Sequence, residues 1–392
     1  MKRILGLILV LVMAMSVVAG CGGSGNDTET TGSSTASDKF YIGGIGPITG
    51  AAAIYGQGVK NGAQIAVDEI NAAGGINGYQ IEYKFEDDEH DAEKAVNAYN
   101  TLKDWGMQIL MGTVTSTPCM AVSAKTAEDN MFQVTPSGSS PDVIVGDNTF
   151  QICFSDPNQG IASADYIAEN ALATKVAVIY DSSDVYSSGI YEKFASQAES
   201  KGIEIVAAEA FTADNKSDFS VQIQKAKDAG AELVFLPIYY TEATLILKQA
   251  NSIGYKPLFF GCDGLDGILG VENFDTSLAE GVMLLTPFAA DATDKLTQDF
   301  VATYKENYGE VPNQFAADAY DAIYTIKAAI EKSGATPDMS VSELGDALKG
   351  AMPEIAVVGL TGKGAEMTWA ATGEVSKKPM AVTIKNGVYT AN

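Results

Sequence analysis

Gly112-Thr113-Val114-Thr115-Ser116-Thr117-Pro118-Cys119-Met120-Ala121, followed by a helical pattern and then Val134-Thr135-Pro136-Ser137-Gly138-Ser139-Ser140-Pro141, is the stretch whose reading decides the fold. An apolar run at 107–111 empties into the first cluster of small hydroxylated residues, and a helix is expected to start just after Pro118. A second apolar run, 131–134, empties into the second cluster. At a strand-to-helix turn the first-turn N–H groups have no partners within the helix, so hydroxyls gathered there make a place for an anion. Either turn alone reads as an ordinary capped connection. The pair points to a ligand site fed by two neighbouring strand ends.

Outward from this stretch, strand and helix patterns alternate from Lys39 onward, which predicts α/β architecture with mostly parallel sheets. Strand 40–45 precedes helix 51–73, whose apolar face is Val59, Ala63, Ala66, Val67 and Ile70, and Gly74-Gly75 stops it. Strand 81–85, helix 91–104, strand 107–111, helix 118–129 and strands 131–134 and 150–154 continue a first lobe. A second begins near Asp156, with strands at 176–180, 203–207, 233–236, 257–261 and 281–285 and helices between them. Helical segments 293–308, 314–333 and 340–350 have no strands between them and are free to return to the first sheet; strands near 356–360 and 379–385 fit either lobe. Polar clusters end the second set of strands, at 181–186, 239–242 and 262–264, and the C-terminal strand edge is where open α/β sheets bind ligands. Two such edges facing each other imply a cleft. One wall would offer Ser116, Ser137 and Ser139, the other the rings of Tyr186 and Tyr239 and the acid Asp263. That pairing suits a free amino acid, whose carboxylate and ammonium need opposite treatment.

The front of the chain reads as a targeting segment: Lys2 and Arg3, an apolar run from 4 to 18, then Val18-Ala19-Gly20-Cys21, similar to a bacterial lipoprotein signal in which Cys21 is lipidated. The run is shorter than the roughly 20 residues a membrane span requires. Residues 22–37 lack core-forming side chains and are expected to be a disordered tether reaching on the order of 20 Å. The expected location is thus the outer face of the cytoplasmic membrane. Cys119, Cys153 and Cys262 remain, allowing one disulfide at most, with no metal spacing.

Composition excludes other classes. The 50 acidic residues outnumber 25 basic ones, the net charge is −25 and the sole arginine is Arg3, so no basic face for nucleic acid can be built. The single histidine, His90, sits in Glu86-Asp87-Asp88-Glu89-His90-Asp91, which reads as a solvated helix start rather than a metal site. No Gly-x-Ser-x-Gly elbow or Walker loop occurs. The Gly44-Ile45-Gly46-Pro47 turn matches the dinucleotide fingerprint poorly, so no cofactor is expected.

Four segments together resemble the branched-chain amino-acid-binding proteins, type I solute receptors of ABC importers. They are Gly46-Pro47-Ile48-Thr49-Gly50-Ala51-Ala52-Ala53-Ile54-Tyr55-Gly56, Asp68-Glu69-Ile70-Asn71 through Gly78, Thr115-Ser116-Thr117-Pro118, and Tyr239-Tyr240-Thr241-Glu242. The resemblance implies two doubly wound lobes joined by a three-strand hinge near 155, 286 and 377, so that 39–155 plus 286–376 form one lobe and 156–285 plus 377–392 the other. It further implies that Ser116 and Ser139 hydroxyls and the Ser137 backbone hold a ligand carboxylate, that Asp263 and Tyr239 hold the ammonium, and that Tyr55, Val114, Tyr186 and Phe315 wall the pocket. Asp263 stands where the family more often has Glu, and His90 and Thr115 stand where relatives have a disulfide. The implied function is non-catalytic capture of an amino acid, Leu, Ile, Val or another, by a monomer that delivers it to a membrane permease. A sensor domain for another small amino acid or amide is the alternative, and an envelope enzyme the more distant one.

Overall fold

The computed structural model describes residues 39–362 and 364–391, so the signal, Cys21 and tether readings lie outside the described residues. The first sheet is parallel and built from β1 (Lys39–Gly46), β2 (Gln80–Asp87), β3 (Ile109–Gly112), β4 (Gln133–Thr135) and β5 (Thr149–Gln151), in the order β2-β1-β3-β4-β5. Its connections are helices α1 (Ala53–Ala72), α2 (Ala92–Trp105) and α3 (Ser116–Asp129). After β5 the chain passes to α4 (Asp156–Glu169), β6 (Lys175–Asp181), α5 (Val185–Ser200), β7 (Glu204–Phe211), α6 (Ser220–Asp228), β8 (Leu233–Leu236), α7 (Tyr240–Ser252), β9 (Leu258–Gly261) and β10 (Met283–Thr286). Their parallel order, β7-β6-β8-β9-β10, repeats that of the first sheet. Both are the doubly wound order whose switch point opens a crevice at the C-terminal strand ends.

Helices α8 (Lys295–Tyr308), α9 (Gln314–Ser333) and α10 (Val341–Ala351) follow, then β11 (Val357–Val358) and β12 (Glu366–Met367), which pair with each other. The chain then returns to the second sheet as β13 (Met380–Lys385) and β14 (Val388–Ala391), antiparallel additions beside β10. As the sequence suggested, these helices return to the first sheet, with α9 lying along α1 and touching β3 and β4. The α1–α9 crossing is close because Gly62 permits it: a Cβ there would lie 2.0 Å from the Ala316 carbonyl oxygen. The expected α1 face is buried, with Tyr55 and Ile65 added.

Two readings need correction. Helix α3 begins at Ser116, two residues before Pro118, because proline is tolerated in a first turn where its N–H would be unpaired anyway. The acidic start of α2 is not wholly solvated: Asp91 caps the helix through the Lys94 N–H, but Asp88 is buried, its Oδ1 accepting the His90 N–H at 2.9 Å. Of the one disulfide at most that the sequence allowed, none forms: Cys119, Cys153 and Cys262 are each free and buried. Among the described residues no group of His, Cys, Asp and Glu is arranged to hold a metal, and no helix is long and apolar enough to cross a membrane.

The strand-end loops of the two sheets are in contact. The Tyr55 hydroxyl donates to the Gly264 carbonyl and accepts the Tyr240 N–H at 3.2 Å; the Thr241 hydroxyl donates to the Ala51 carbonyl at 2.7 Å.

Candidate binding site

The two hydroxyl clusters are pinned to each other by short local bonds. Thr135 Oγ1 donates to the Thr113 carbonyl at 2.7 Å and accepts the Gly138 N–H at 2.8 Å, and Ser137 Oγ donates to the Val114 carbonyl at 2.6 Å. Gln151, on β5, donates to the carbonyls of Gly138 and Ser140, and the Ser140 N–H reaches Ser116 Oγ at 3.2 Å. These bonds hold the N-terminus of α3 and the 135–140 loop as one polar wall, and every hydroxyl named is buried. With no arginine or lysine in this wall, an anion would be met by neutral donors and the positive end of α3.

Opposite it, Asp263 follows β9. Its Oδ1 accepts the Tyr186 hydroxyl at 2.7 Å and its own N–H is held by Gln159 Oε1 at 3.1 Å. The same Tyr186 oxygen accepts the Gly264 N–H at 2.9 Å, and Gly264 is obligatory there because a Cβ would lie 2.6 Å from that oxygen. Asp263 is the first residue of a short 3₁₀ turn whose cap position is Cys262, and no side chain caps that turn. The carboxylate is therefore free of the helix-capping duty that Asp commonly performs. Burial raises it from its ordinary 3.8 to about 6, against the hydrogen bond from the Tyr186 hydroxyl that favours its charged form.

Between the walls lies a small cavity, bounded by the hydroxyl wall, by Asp263 and Gly264, and by aromatic rings. Tyr186 and Tyr239 stack at 4.9 Å and 13°, and Tyr55 packs on Phe315 at 4.3 Å. Of the residues singled out in the sequence, Tyr55, Val114, Ser116, Ser137, Tyr186, Tyr239, Asp263 and Phe315 all line it. Ser139 does not line the cavity; it is buried behind it, with an unpartnered hydroxyl beside Asp156.

Three neighbours escaped sequence reasoning. Asp156 opens α4, is fully buried, and neither of its carboxylate oxygens has a hydrogen-bond partner; burial first, then Asp263 and other acids, push its carboxyl well above the usual range, against the nearby Ser139 hydroxyl. Gln159, one turn later, also leaves Nε2 unpartnered. The available signal was Asp156-Pro157-Asn158-Gln159-Gly160 directly after a strand end, which was read only as the start of a new unit. The third is His90. Its Nδ1 lies 2.8 Å from Thr115 Oγ1, so the two positions that hold a disulfide in the resembled family are joined here by a hydrogen bond. Its ring meets Tyr239 edge-on at 5.4 Å, and burial, then Lys216, lower its pKa to about 4. A small polar annex, lined in part by His90, Asp184, Lys216 and Glu242, shares Tyr186 and Tyr239 with the main cavity.

The buried acids set a pH dependence. Asp263 and Asp266 are raised to about 6 and Asp88 and Asp318 to about 7. A raised carboxyl binds more protons in the folded state than in the unfolded one, so its stabilisation is full below the unfolded value near 4 and lost as pH rises through 6 to 7. His90 acts in the opposite sense between about 6.5 and 4 but is one group against four. The unliganded protein is expected to melt at a higher temperature at pH 5 than at pH 8. A melting temperature that rises monotonically over that interval would contradict the buried, raised state of these acids.

The family model described as periplasmic binding protein matches residues 39–387. The Leu/Ile/Val-binding protein homolog 3 of Brucella melitensis is 33% identical over 352 residues, covering 88% of this chain and 90% of that one. A Pseudomonas aeruginosa protein named for binding leucine, isoleucine, valine, threonine and alanine is 29% identical over 79% of this chain and 83% of its own. Among solved structures, the branched-chain amino-acid transporter substrate-binding protein LivJ of Streptococcus pneumoniae, in complex with isoleucine, aligns with a TM-score of 0.81 at 29% identity, covering 90% of this chain and 98% of that one. A benzoate complex from R. palustris, 18% identical with a TM-score of 0.79, shares the fold. The chain belongs to the family of Leu/Ile/Val-binding proteins, extracytoplasmic solute-binding proteins of type I fold that serve ABC transporters and are not enzymes.

Proposed function

We propose that this protein captures a free α-amino acid between two lobes, 39–155 with 286–376 and 156–285 with 377–392, and hands it unchanged to an ABC permease. The carrying observation is one cavity with uncharged hydroxyls at the α3 terminus on one side and the buried carboxylate of Asp263 on the other. The ligand carboxylate goes to Ser116 and the backbone at Ser137, the two hydroxyl-wall residues that line the cavity. Its ammonium goes to Asp263, with the unpartnered Asp156 beside it, and Tyr239 presents a ring to the same charge. Tyr55, Val114, Tyr186 and Phe315 receive the side chain, which favours leucine, isoleucine or valine, the ligands named for the relatives. The test is a thermal-shift and calorimetric screen of the twenty amino acids with recovery of the ligand afterwards. A stabilising ligand recovered intact supports the reading; chemical conversion, or no amino acid bound at millimolar concentration, overturns it.

Binding should also release protons. An ammonium beside Asp263 lowers its pKa from about 6, so affinity weakens as pH falls below 6, and calorimetry in buffers of different ionisation enthalpy near that pH should record the release.

Lipid attachment at Cys21 places the monomeric receptor on the outer face of the cytoplasmic membrane. Cys21→Ala is expected to move the protein out of the detergent phase on phase partitioning; unchanged partitioning would remove the anchor from this account.

A further inference from the structure

Beyond the cavity, a second carboxylate joins the two halves. Asp266, three residues after Asp263 and only 4% exposed, accepts the backbone N–H of Gln314 through Oδ2 at 2.8 Å. Gln314 is the first residue of α9, the helix that packs along α1 of the first sheet, whereas Asp266 belongs to the loop after β9 of the second. Helix α9 already has its own cap, Asn313, which takes the Ala316 N–H at 3.1 Å. Asp266 therefore supplies a different first-turn donor with an acceptor, and puts a negative charge at the positive helix end. The Gln314 side chain returns the contact: its Nε2 donates to the Asp263 carbonyl at 2.8 Å, and the next residue, Phe315, lines the cavity. The far side of the loop is held by Tyr389, whose hydroxyl accepts the Gly267 N–H at 3.0 Å. Asp266 Oδ1 and Gln314 Oε1 are both buried without hydrogen-bond partners, with the Tyr389 hydroxyl beside the carboxyl.

We propose that Asp266 is a positioning residue of the binding site: its carboxylate crosses to the N-terminus of α9 when the halves close, and so fastens the loop that presents Asp263 to the ligand. The inference rests on the two-lobe capture reading. It does not require Asp266 to touch the ligand. Opening the lobes would expose this carboxylate and the α9 terminus to water, where each is hydrated, so the contact contributes to the closed form and to retention of whatever it encloses. Its loss is felt in dissociation rather than encounter.

The test uses the full chain and the amino acid that stabilises it most. Asp266→Ala removes the acceptor. Gln314→Pro removes the donor at a position where proline fits, since it is the first helical residue and Asn313 before it is extended at φ −85 and ψ 175. A charge-assisted hydrogen bond of this kind corresponds to roughly ten- to a hundredfold in dissociation constant. Each variant is expected to raise the dissociation constant by about that factor through a faster off-rate, with the on-rate within about threefold and a cooperative unfolding transition retained in the unliganded protein. The double variant should be no weaker than Gln314→Pro alone, which removes both the bond to Asp266 and the side-chain bond to the Asp263 carbonyl, because Asp266→Ala takes away only a bond the proline has already removed. Asp266→Asn, which keeps an acceptor oxygen, should recover most of the affinity. If the parent binds and Asp266→Ala binds equally well with the same off-rate, the clasp is overturned while the capture reading stands; if the parent binds no amino acid, both fall together.

Discussion

Asp263→Asn is expected to raise the dissociation constant for the preferred amino acid by about 30- to several-thousand-fold while leaving the fold intact. Asparagine keeps the shape and an acceptor for the Tyr186 hydroxyl at 2.7 Å, and the backbone bond to Gln159 is untouched. What is removed is a buried negative charge. Truncating one member of a desolvated charge pair costs ~2–5 kcal/mol, and every ~1.4 kcal/mol is tenfold in affinity. A helix-capping role would predict no change, since Asn caps about as well as Asp. The structure already weighs against that role, because Cys262 holds the cap position and the Asp263 side chain bonds Tyr186 instead. Two readouts separate the accounts: the affinity itself by titration calorimetry, and the pH dependence of binding near 6, which should disappear with the carboxyl group. An affinity within about threefold of the parent removes Asp263 from the ammonium site.

The sheets and helices were legible because buried parallel strands are short apolar runs and the helices between them keep one apolar face. The site was legible as far as it lies at strand ends: Ser116, Ser137, Tyr186, Tyr239 and Asp263 each follow a strand, and the doubly wound order brings such loops together. Residues whose role depends on burial were not. Asp88 reads as one more acid in a solvated run, and only tertiary packing reveals it as buried and raised to about 7. Asp156 and Asp91 both stand at a helix start, yet Asp91 is the N-cap of α2 and accepts the Lys94 N–H, while Asp156 is the first residue within α4 and neither of its carboxylate oxygens has a hydrogen-bond partner. Composition cannot tell the two apart. The antiparallel strand β13 shows a related limit, since the 379–385 run fits either half and only its pairing with β10 assigns it.

The largest stability effect is expected at Lys377, which lies where the chain returns to the second sheet before β13. Its side chain is 1% exposed and its Nζ sits 3.0 Å from Asp318 Oδ1, itself 2% exposed, while also donating to the Thr361 hydroxyl. Asp321, one turn along α9 from Asp318, accepts the Leu360 and Thr361 N–H groups at 2.8 and 2.9 Å, so a single ammonium faces two buried carboxyls on the helix. Burial already raises Asp318 to about 7 despite the lysine's pull towards its charged form. Lys377→Met fills the same space without the charge, and breaking a buried pair by removing one partner costs ~3–5 kcal/mol. Asp318 would respond by holding its proton to higher pH, so the loss should be greater at pH 8, where neutralising it is harder, than at pH 5. Adding Asp318→Leu removes the stranded acid and should restore much of the stability, as apolar replacement of buried pairs often does. Denaturant unfolding of the parent and both variants at the two pH values measures this. A loss under about 1 kcal/mol at pH 8 for Lys377→Met, or a double variant weaker than the single one, would show that the pair does not hold the return strand to α9.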